Sequence, residues 1–335
     1  MRNFALVGLA VWCCALGAEP ADFICSDPFI VRDDAAGVYR LYHNVSVKDA
    51  GEPVVVMRTS KDLVDWSGPQ GVLWLPNVFD CDSLWAPEVH AWRGKWYLFG
   101  TIHKRVNPTH LLPILVPNFK PERRKSYLAT WTFVADTPKG PFKVFADKAI
   151  TPESWSSLDG TLFEQDGKPY MVFCHEWTQL RDGTMECVEM ASDLSRAVGT
   201  PRTLFRASDL LASVEGRPRT DRVGVTDGPF LFRTKTGTLL MLWSSAFKGY
   251  LQAVSRSESG RLEGPWTHHE IIRSEDSGHG MVFKTFDGRL ALALHSPNVH
   301  RLKRLRIFEL EDLGDTLKVG RQIGGKFDDR LKGEK

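Results

Sequence analysis

Along most of this chain, short apolar runs alternate with polar turns, and each run is answered by a second one coming back. Ser157-Leu158-Asp159-Gly160-Thr161-Leu162-Phe163 leads to a turn at Asp166-Gly167-Lys168 and returns through Tyr170-Met171-Val172-Phe173. This is a β-hairpin pattern whose first strand begins with a carboxylate. The same pattern is written five times. The other copies open at Asp27-Pro28-Phe29, Trp85-Ala86-Pro87-Glu88-Val89, Asp227-Gly228-Pro229-Phe230 and Gly278-His279-Gly280-Met281. Their returning runs are Val38 to Tyr42, Trp96 to Phe99, Leu239 to Trp243 and Leu290 to Leu294.

A third candidate strand follows most hairpins: Val54–Met57, Tyr127–Trp131, Cys187–Met190 and Leu251–Val254. A fourth, outer segment comes after a Gly-Pro at Gly68-Pro69, Gly140-Pro141 and Gly264-Pro265. Helical periodicity is almost absent. Four strands per unit, repeating every ~50–75 residues, predicts an all-β chain folded as a five-bladed β-propeller with four antiparallel strands per blade. A β-sandwich with chance similarity between hairpins is the competing fold. In a propeller the first strand of each blade lines the central channel. Asp27, Trp85, Asp159, Asp227 and His279 then converge at one mouth. The loops after Tyr42, Phe99, Phe173, Trp243 and Leu294 wall it, which places His295 at its rim.

Composition adds limits. The chain has 335 residues, 42% hydrophobic and 25% charged, with net charge +2, so nothing points to a nucleic-acid partner. Past the start, no apolar run is long enough to span a bilayer. Arg2, the apolar stretch Phe4 to Leu16, and the small residues before Glu19 read as a signal peptide over 1–18. That leaves one domain, 19–335, in the periplasm or outside the cell. Cys25, Cys81, Cys174 and Cys187 match no zinc spacing and read as buried thiols, or as a disulfide in an oxidising compartment.

Three aspartates at one mouth raise one another's pKa, which a propeller does not need for stability. Carboxyls with separated pKa values suit glycoside hydrolysis: an acid for the leaving oxygen and a base for water. Taken singly, each aspartate reads better as a turn or loop former; at corresponding places in blades one, three and four together, the functional reading prevails.

The chain resembles glycoside hydrolase family 43, through Asp27-Pro28-Phe29, Trp85-Ala86-Pro87-Glu88-Val89, Asp159-Gly160-Thr161-Leu162-Phe163, Asp227-Gly228-Pro229 and Gly278-His279-Gly280. The resemblance implies inverting hydrolysis of arabinose-, xylose- or galactose-containing glycans. It implies that Asp27 is the base and that Asp159 orients the acid. The family's acid is a glutamate in Glu-Gly-Pro. Here Asp227 stands there, shorter by about 1.5 Å of reach, so Glu176 or Glu186 in the blade-three loop are alternative acids. The resemblance also sets His279 near a structural calcium or a water cluster, acting through water; no cofactor is required.

Trp85 and Trp177 are candidate sugar walls, and Asp82 is a candidate partner for a sugar hydroxyl. Tryptophans such as Trp66, Trp96 and Trp266 read as blade packing. The long loop from His103 to Lys125 favours removal of terminal arabinofuranosyl, xylosyl or galactofuranosyl residues. Its basic end, Lys120 and Arg123 to Lys125, reads as a solvated surface before a glycan contact. The expected partner is an oligo- or polysaccharide, and the expected state a monomer. The competing functions are a sugar-binding propeller that has lost its acid, or a propeller phosphorylase, which turnover and phosphate dependence distinguish.

Overall fold

In the computed structural model of the chain, the described residues are 19–46, 51–75, 81, 83–105, 126–215, 224–247 and 249–327. The expected signal peptide over 1–18, Asp82, and 106–125 of the long blade-two loop lie outside them.

Strands form where the apolar runs lie, and tight turns join them. Arg93-Gly94 and Asp166-Gly167 both have positive φ at the two central residues (47° and 80°, 55° and 74°). That is the two-residue turn whose twist matches the flanking strands.

Five four-stranded antiparallel sheets result, each contiguous in sequence. Blade one is Phe29–Asp33, Val38–Asn44, Val55–Ser60 and Gln70–Leu73. Blade two is Ser83–Trp92, Lys95–Arg105, Ser126–Ala135 and Lys143–Val144. Blade three is Ser157–Gln165, Lys168–His175, Thr184–Met190 and Ala197–Arg206. Blade four is Asp227–Arg233, Leu239–Ala246, Tyr250–Ser257 and Trp266–Arg273. Blade five is Gly278–Lys284, Leu290–Ser296, Arg304–Asp312 and Leu317–Gly325.

The first strand of each blade touches the first strands of both neighbours, and the fifth touches the first. The ring is therefore closed, as a five-bladed propeller. Phe29 of blade one faces Phe230 of blade four across the channel, with ring centroids 6.4 Å apart. The seam joins the two ends of the chain. Cys25 N–H donates to Lys303 O at 3.0 Å, and Asp22 pairs with Arg304 and Lys326 at 3.0 and 2.9 Å.

Each blade buries both faces against its neighbours, which is why the strands read as continuous apolar runs rather than alternating ones. Trp66, Trp243, Phe99 and Phe173 are fully enclosed. Each such side chain stabilises the ring by about 1.5–3 kcal/mol. Trp66 and Trp266 are packing residues, as the sequence suggests. So is Trp243, which therefore forms no wall at the mouth. The sequence reading missed two helices among the described residues: the single turn Trp177–Leu180, and Ala207–Glu215 in the connection from blade three to blade four. The longer one buries Ala207, Leu210 and Leu211, too few positions to declare a period.

Candidate active site

The mouth is built from a repeated backbone device. In blades two to five the ladder between the first two strands slips just inside its start. The slips fall between Trp85 and Glu88, Leu158 and Thr161, Asp227 and Phe230, and Gly278 and Met281. At each slip one residue has positive φ: Ala86 at 44°, Asp159 at 58°, Gly228 at 50° and His279 at 54°. Asp27, just before the first strand of blade one, matches them at 49°. Non-glycine residues in this region cost about 1–3 kcal/mol each and collect at functional sites.

At the bends of blades one, three, four and five the N–H is caught by a side chain of the preceding blade. Asp27 N–H donates to His295 Nδ1 at 3.2 Å, Asp159 N–H to Thr101 Oγ1 at 2.9 Å, Gly228 N–H to Asp159 Oδ2 at 3.1 Å, and His279 N–H to Ser244 Oγ at 2.7 Å. The ring thus carries a one-way chain of side-chain-to-backbone bonds. Asp159 belongs to it. Its carboxyl sets the bend of blade four that carries Asp227.

One expectation is corrected by this register. Asp27, Asp159 and His279 occupy equivalent positions, whereas Asp227 stands one residue earlier, level with Trp85, Leu158 and Gly278. Gly228 takes the strained position in blade four. Asp227 therefore projects from a neighbouring backbone position yet reaches the same group.

The convergence itself holds. His279 Nδ1 lies 3.4 Å from Asp27 Oδ1 and 3.2 Å from Asp227 Oδ1. His295 Nδ1 lies 3.3 Å from Asp27 Oδ1, and its Nε2 meets Asn298 Oδ1 at 3.1 Å. Asp159, Asp227 and His279 bring their ligand-type atoms within 4.8 Å of one another. Tyr250 adds a hydroxyl that donates to Asp227 Oδ2 at 2.8 Å. Exposure grades the carboxylates: the Asp227 side chain is 25% exposed and that of Asp27 14%, while Asp159 is buried.

These contacts separate the protonation states. Burial raises the Asp159 carboxyl, and the Asp227 charge and the hydrogen bond shared with Asp227 raise it further, well above the usual range. Burial also raises Asp227, but the Asp159 hydrogen bond and His279 outweigh it and hold Asp227 low. Desolvation works against the Asp27 charge as well, yet the charges of His279 and Lys303 and the His295 hydrogen bond hold it well below its ordinary value. Burial lowers His279, and the charges of Asp27 and Asp159, then Asp227, override it and push it up to about 10. Burial holds His295 below its usual value despite Asp27. These directions favour carboxylates at Asp27 and Asp227, bias any proton shared by the pair toward Asp159, and favour the imidazolium of His279 and the neutral form of His295.

That donor set does not fit a directly bound calcium ion. Calcium takes ~6–8 oxygen ligands, and Asp159, Asp227 and His279 offer two carboxylates and one ring nitrogen, too few oxygens to complete its shell directly.

The remaining expected residues divide. Trp85 is half-buried, stacks on His103 with ring centroids 4.6 Å apart, and donates Nε1–H to Ser83 Oγ at 2.8 Å. Trp177 is half-buried on the short helix Trp177–Leu180 of the blade-three wall. Glu176, just before that helix, is buried and accepts from Thr178 Oγ1 at 3.3 Å. Glu186 is not brought to the cup. It sits on the third strand of its blade, buried, accepting from Thr184 and Thr203 at 2.6 and 2.9 Å. Cys25, Cys174 and Cys187 are free, buried thiols, and Cys81 is half-buried. Tyr250, Thr101 and Ser244 escaped the sequence reading because they lie on second and third strands, where no local motif marks them.

A closed propeller with three carboxyls gathered at one mouth is an arrangement that acid–base chemistry can use. The model of glycosyl hydrolases family 43 matches residues 22–312, and the chain belongs to that family. Among solved structures it is similar to an endo-arabinase from Bacteroides thetaiotaomicron VPI-5482. The two share 32% identity over 87% of this chain and 96% of that one, with TM-score 0.71. It is also similar to a thermostable family-43 glycoside hydrolase, at 22% identity over 90% and 95% of the two chains, TM-score 0.68. An α-L-arabinofuranosidase from Lactobacillus brevis shares the fold at 17% identity over 92% and 100%, TM-score 0.67. No curated protein matches the chain. The protein is a glycoside hydrolase.

Proposed function

We propose that this enzyme is exported and hydrolyses pentosyl linkages of arabinan- or xylan-type glycans with inversion, taking terminal residues and working as a monomer. Arabinofuranosyl linkages come first, because the 32%-identical relative is an endo-arabinase. Terminal galactofuranosyl linkages are a further candidate, from the sequence resemblance.

Asp27 is the base. Its carboxylate takes a proton from a water molecule, whose oxygen attacks the anomeric carbon opposite the leaving group. Asp227, the most exposed of the three carboxylates, delivers the shared proton to the glycosidic oxygen as that bond breaks. Asp159 supplies the proton from below and keeps the pair's affinity for it high. His279 stabilises the negative charge left on the pair and keeps Asp27 ionised. The proton taken by Asp27 returns to the pair through solvent. Glu186 is assigned no part here, because it lies on the third strand of its blade, where Thr184 and Thr203 both donate to its Oε1. Trp85 and Trp177 offer flat apolar faces to sugar C–H groups, and Asp82 a carboxylate to a hydroxyl.

The observation that carries this reading is the convergence of the carboxyls: Asp27 and Asp227 both face His279 Nδ1, at 3.4 and 3.2 Å, and Asp159 gathers with Asp227 and His279 within 4.8 Å. Inverting enzymes separate the two roles by ~6.5–9.5 Å. Asp27 Oδ1 and Asp227 Oδ1 both face His279 Nδ1. Their two distances laid end to end, the largest separation these contacts allow, reach only the lower edge of that range, so the spacing itself does not favour inversion. Kinetics on a panel of aryl glycosides, with wild type and Asp27→Asn, test the assignment. Turnover of an arabinofuranoside or xyloside that Asp27→Asn abolishes supports it. Sugar binding without turnover in the wild type would make the propeller a binding module.

A further inference from the structure

Tyr250 begins the third strand of blade four, and the proposed roles above leave it unused. Its ring is buried and lies parallel to the His295 ring, at 11° with centroids 5.5 Å apart. Gly278 makes room for it, since a Cβ there would stand 2.4 Å from Tyr250 Cε1. Its backbone is pinned on both sides: Tyr250 N–H donates to Asp276 Oδ1 at 3.3 Å, and its carbonyl accepts from Ser277 N–H at 3.1 Å. The phenol oxygen is thus held by a ring that cannot swing, 2.8 Å from Asp227 Oδ2. Asp227 Oδ1 faces His279 Nδ1 at 3.2 Å. Both oxygens of the proposed acid are engaged by fixed groups.

We infer that Tyr250 is a positioning residue for proton donation: it fixes the Asp227 carboxyl at the cup and follows it through both protonation states. The inference rests on the proposed role of Asp227. A phenol suits this task because it donates to a carboxylate and accepts from a carboxylic acid by turning its O–H alone. Burial, then the Asp227 and Asp27 charges, keep that phenol neutral well past its ordinary range, so it remains able to do both. An aspartate has less reach than the glutamate of the family resemblance, so proton transfer here tolerates little wandering of the carboxyl.

The test uses wild type, Tyr250→Phe, Asp227→Asn and the double variant on aryl glycosides of graded leaving-group pKa. Tyr250→Phe should lower kcat on the poorest leaving group about 10- to 100-fold. KM should barely move, and the loss should shrink as the leaving group improves. The double variant should be no slower than Asp227→Asn, because Tyr250 acts through that carboxyl. Tyr250→His, which keeps a ring and a donor, should recover part of the loss. An equal loss on all leaving groups, no loss, or additive losses in the double variant would overturn the inference while leaving the proposed function standing. An Asp227→Asn variant insensitive to the leaving group would instead overturn the acid assignment, and the inference with it.

Discussion

Replacing His279 by glutamine removes the cation that the cup is built around, and the consequence for Asp27 is calculable. The imidazole nitrogen lies 3.4 Å from Asp27 Oδ1. At an effective dielectric of ~20, unit charges at that distance attract by about 4–5 kcal/mol. One pH unit corresponds to about 1.4 kcal/mol, so the attraction bounds the shift at about three units. Opposite charges this close shift carboxylates by about 1–3 units in practice. The sign follows from the direction: His279 lowers the Asp27 pKa, so its removal raises it. In wild type the base stays ionised far into acid, and the acid limb of kcat/KM lies below the ordinary carboxylate range. In His279→Gln the limb should move up by about 1–3 units. The assay is kcat/KM on an activated aryl glycoside, across the pH range where circular dichroism shows both proteins folded. An acid limb that stays in place, or moves down, would refute the electrostatic account.

Stability follows the same linkage. His279 is raised above its unfolded value, so its contribution is complete below about pH 6.5 and is lost as pH rises through about 10. Wild type should therefore lose more stability than His279→Gln between those values, read by urea unfolding at each pH. Asp27→Asn should lower kcat by at least ~10²–10⁴-fold on every leaving group, since general-base assistance is removed whatever departs. Dialysis against EDTA should leave kcat/KM unchanged, because Asp159, Asp227 and His279 offer calcium too few oxygens; a loss restored by calcium would assign that place to a metal. Trp66→Ala should destabilise the ring by about 3–5 kcal/mol in urea unfolding, since the indole is wholly enclosed in the core cluster that joins blades one, two and five. Amino-terminal sequencing of protein exported by its host should begin at or near Glu19; a retained Met1 would contradict export.

The ring was legible because each blade repeats its own hairpin and turn, so five weak local signals reinforced one another. Asp27, Asp159, Asp227 and His279 were legible for the same reason, each opening a first strand. Their register was not. Asp227-Gly228 aligns by eye with Asp159-Gly160, yet the strained position falls on Asp159 in one and on Gly228 in the other. A sequence does not say which of two adjacent residues takes positive φ when both tolerate it. Thr101, Ser244 and Tyr250 were hidden by topology. They reach the cup from neighbouring blades or from interior strands, so their roles depend on ring closure. Gly278 was a readable hint in retrospect, because a glycine beside a channel histidine marks a close approach, here of the Tyr250 ring. Glu186 misled because strand position, which separates it from the mouth, was judged only to within a loop. The Ala207–Glu215 helix was too short to show a period.

The central claim is that Asp27 activates water while the Asp159–Asp227 pair protonates the leaving group, and the stereochemistry of the product addresses it most directly. An aryl glycoside hydrolysed in an NMR tube, with the anomeric proton followed before mutarotation, should show first the anomer opposite to that of the substrate. Initial release of the same anomer would mean that one of these aspartates attacks the sugar itself, and the assignment of Asp27 as base to water would be wrong.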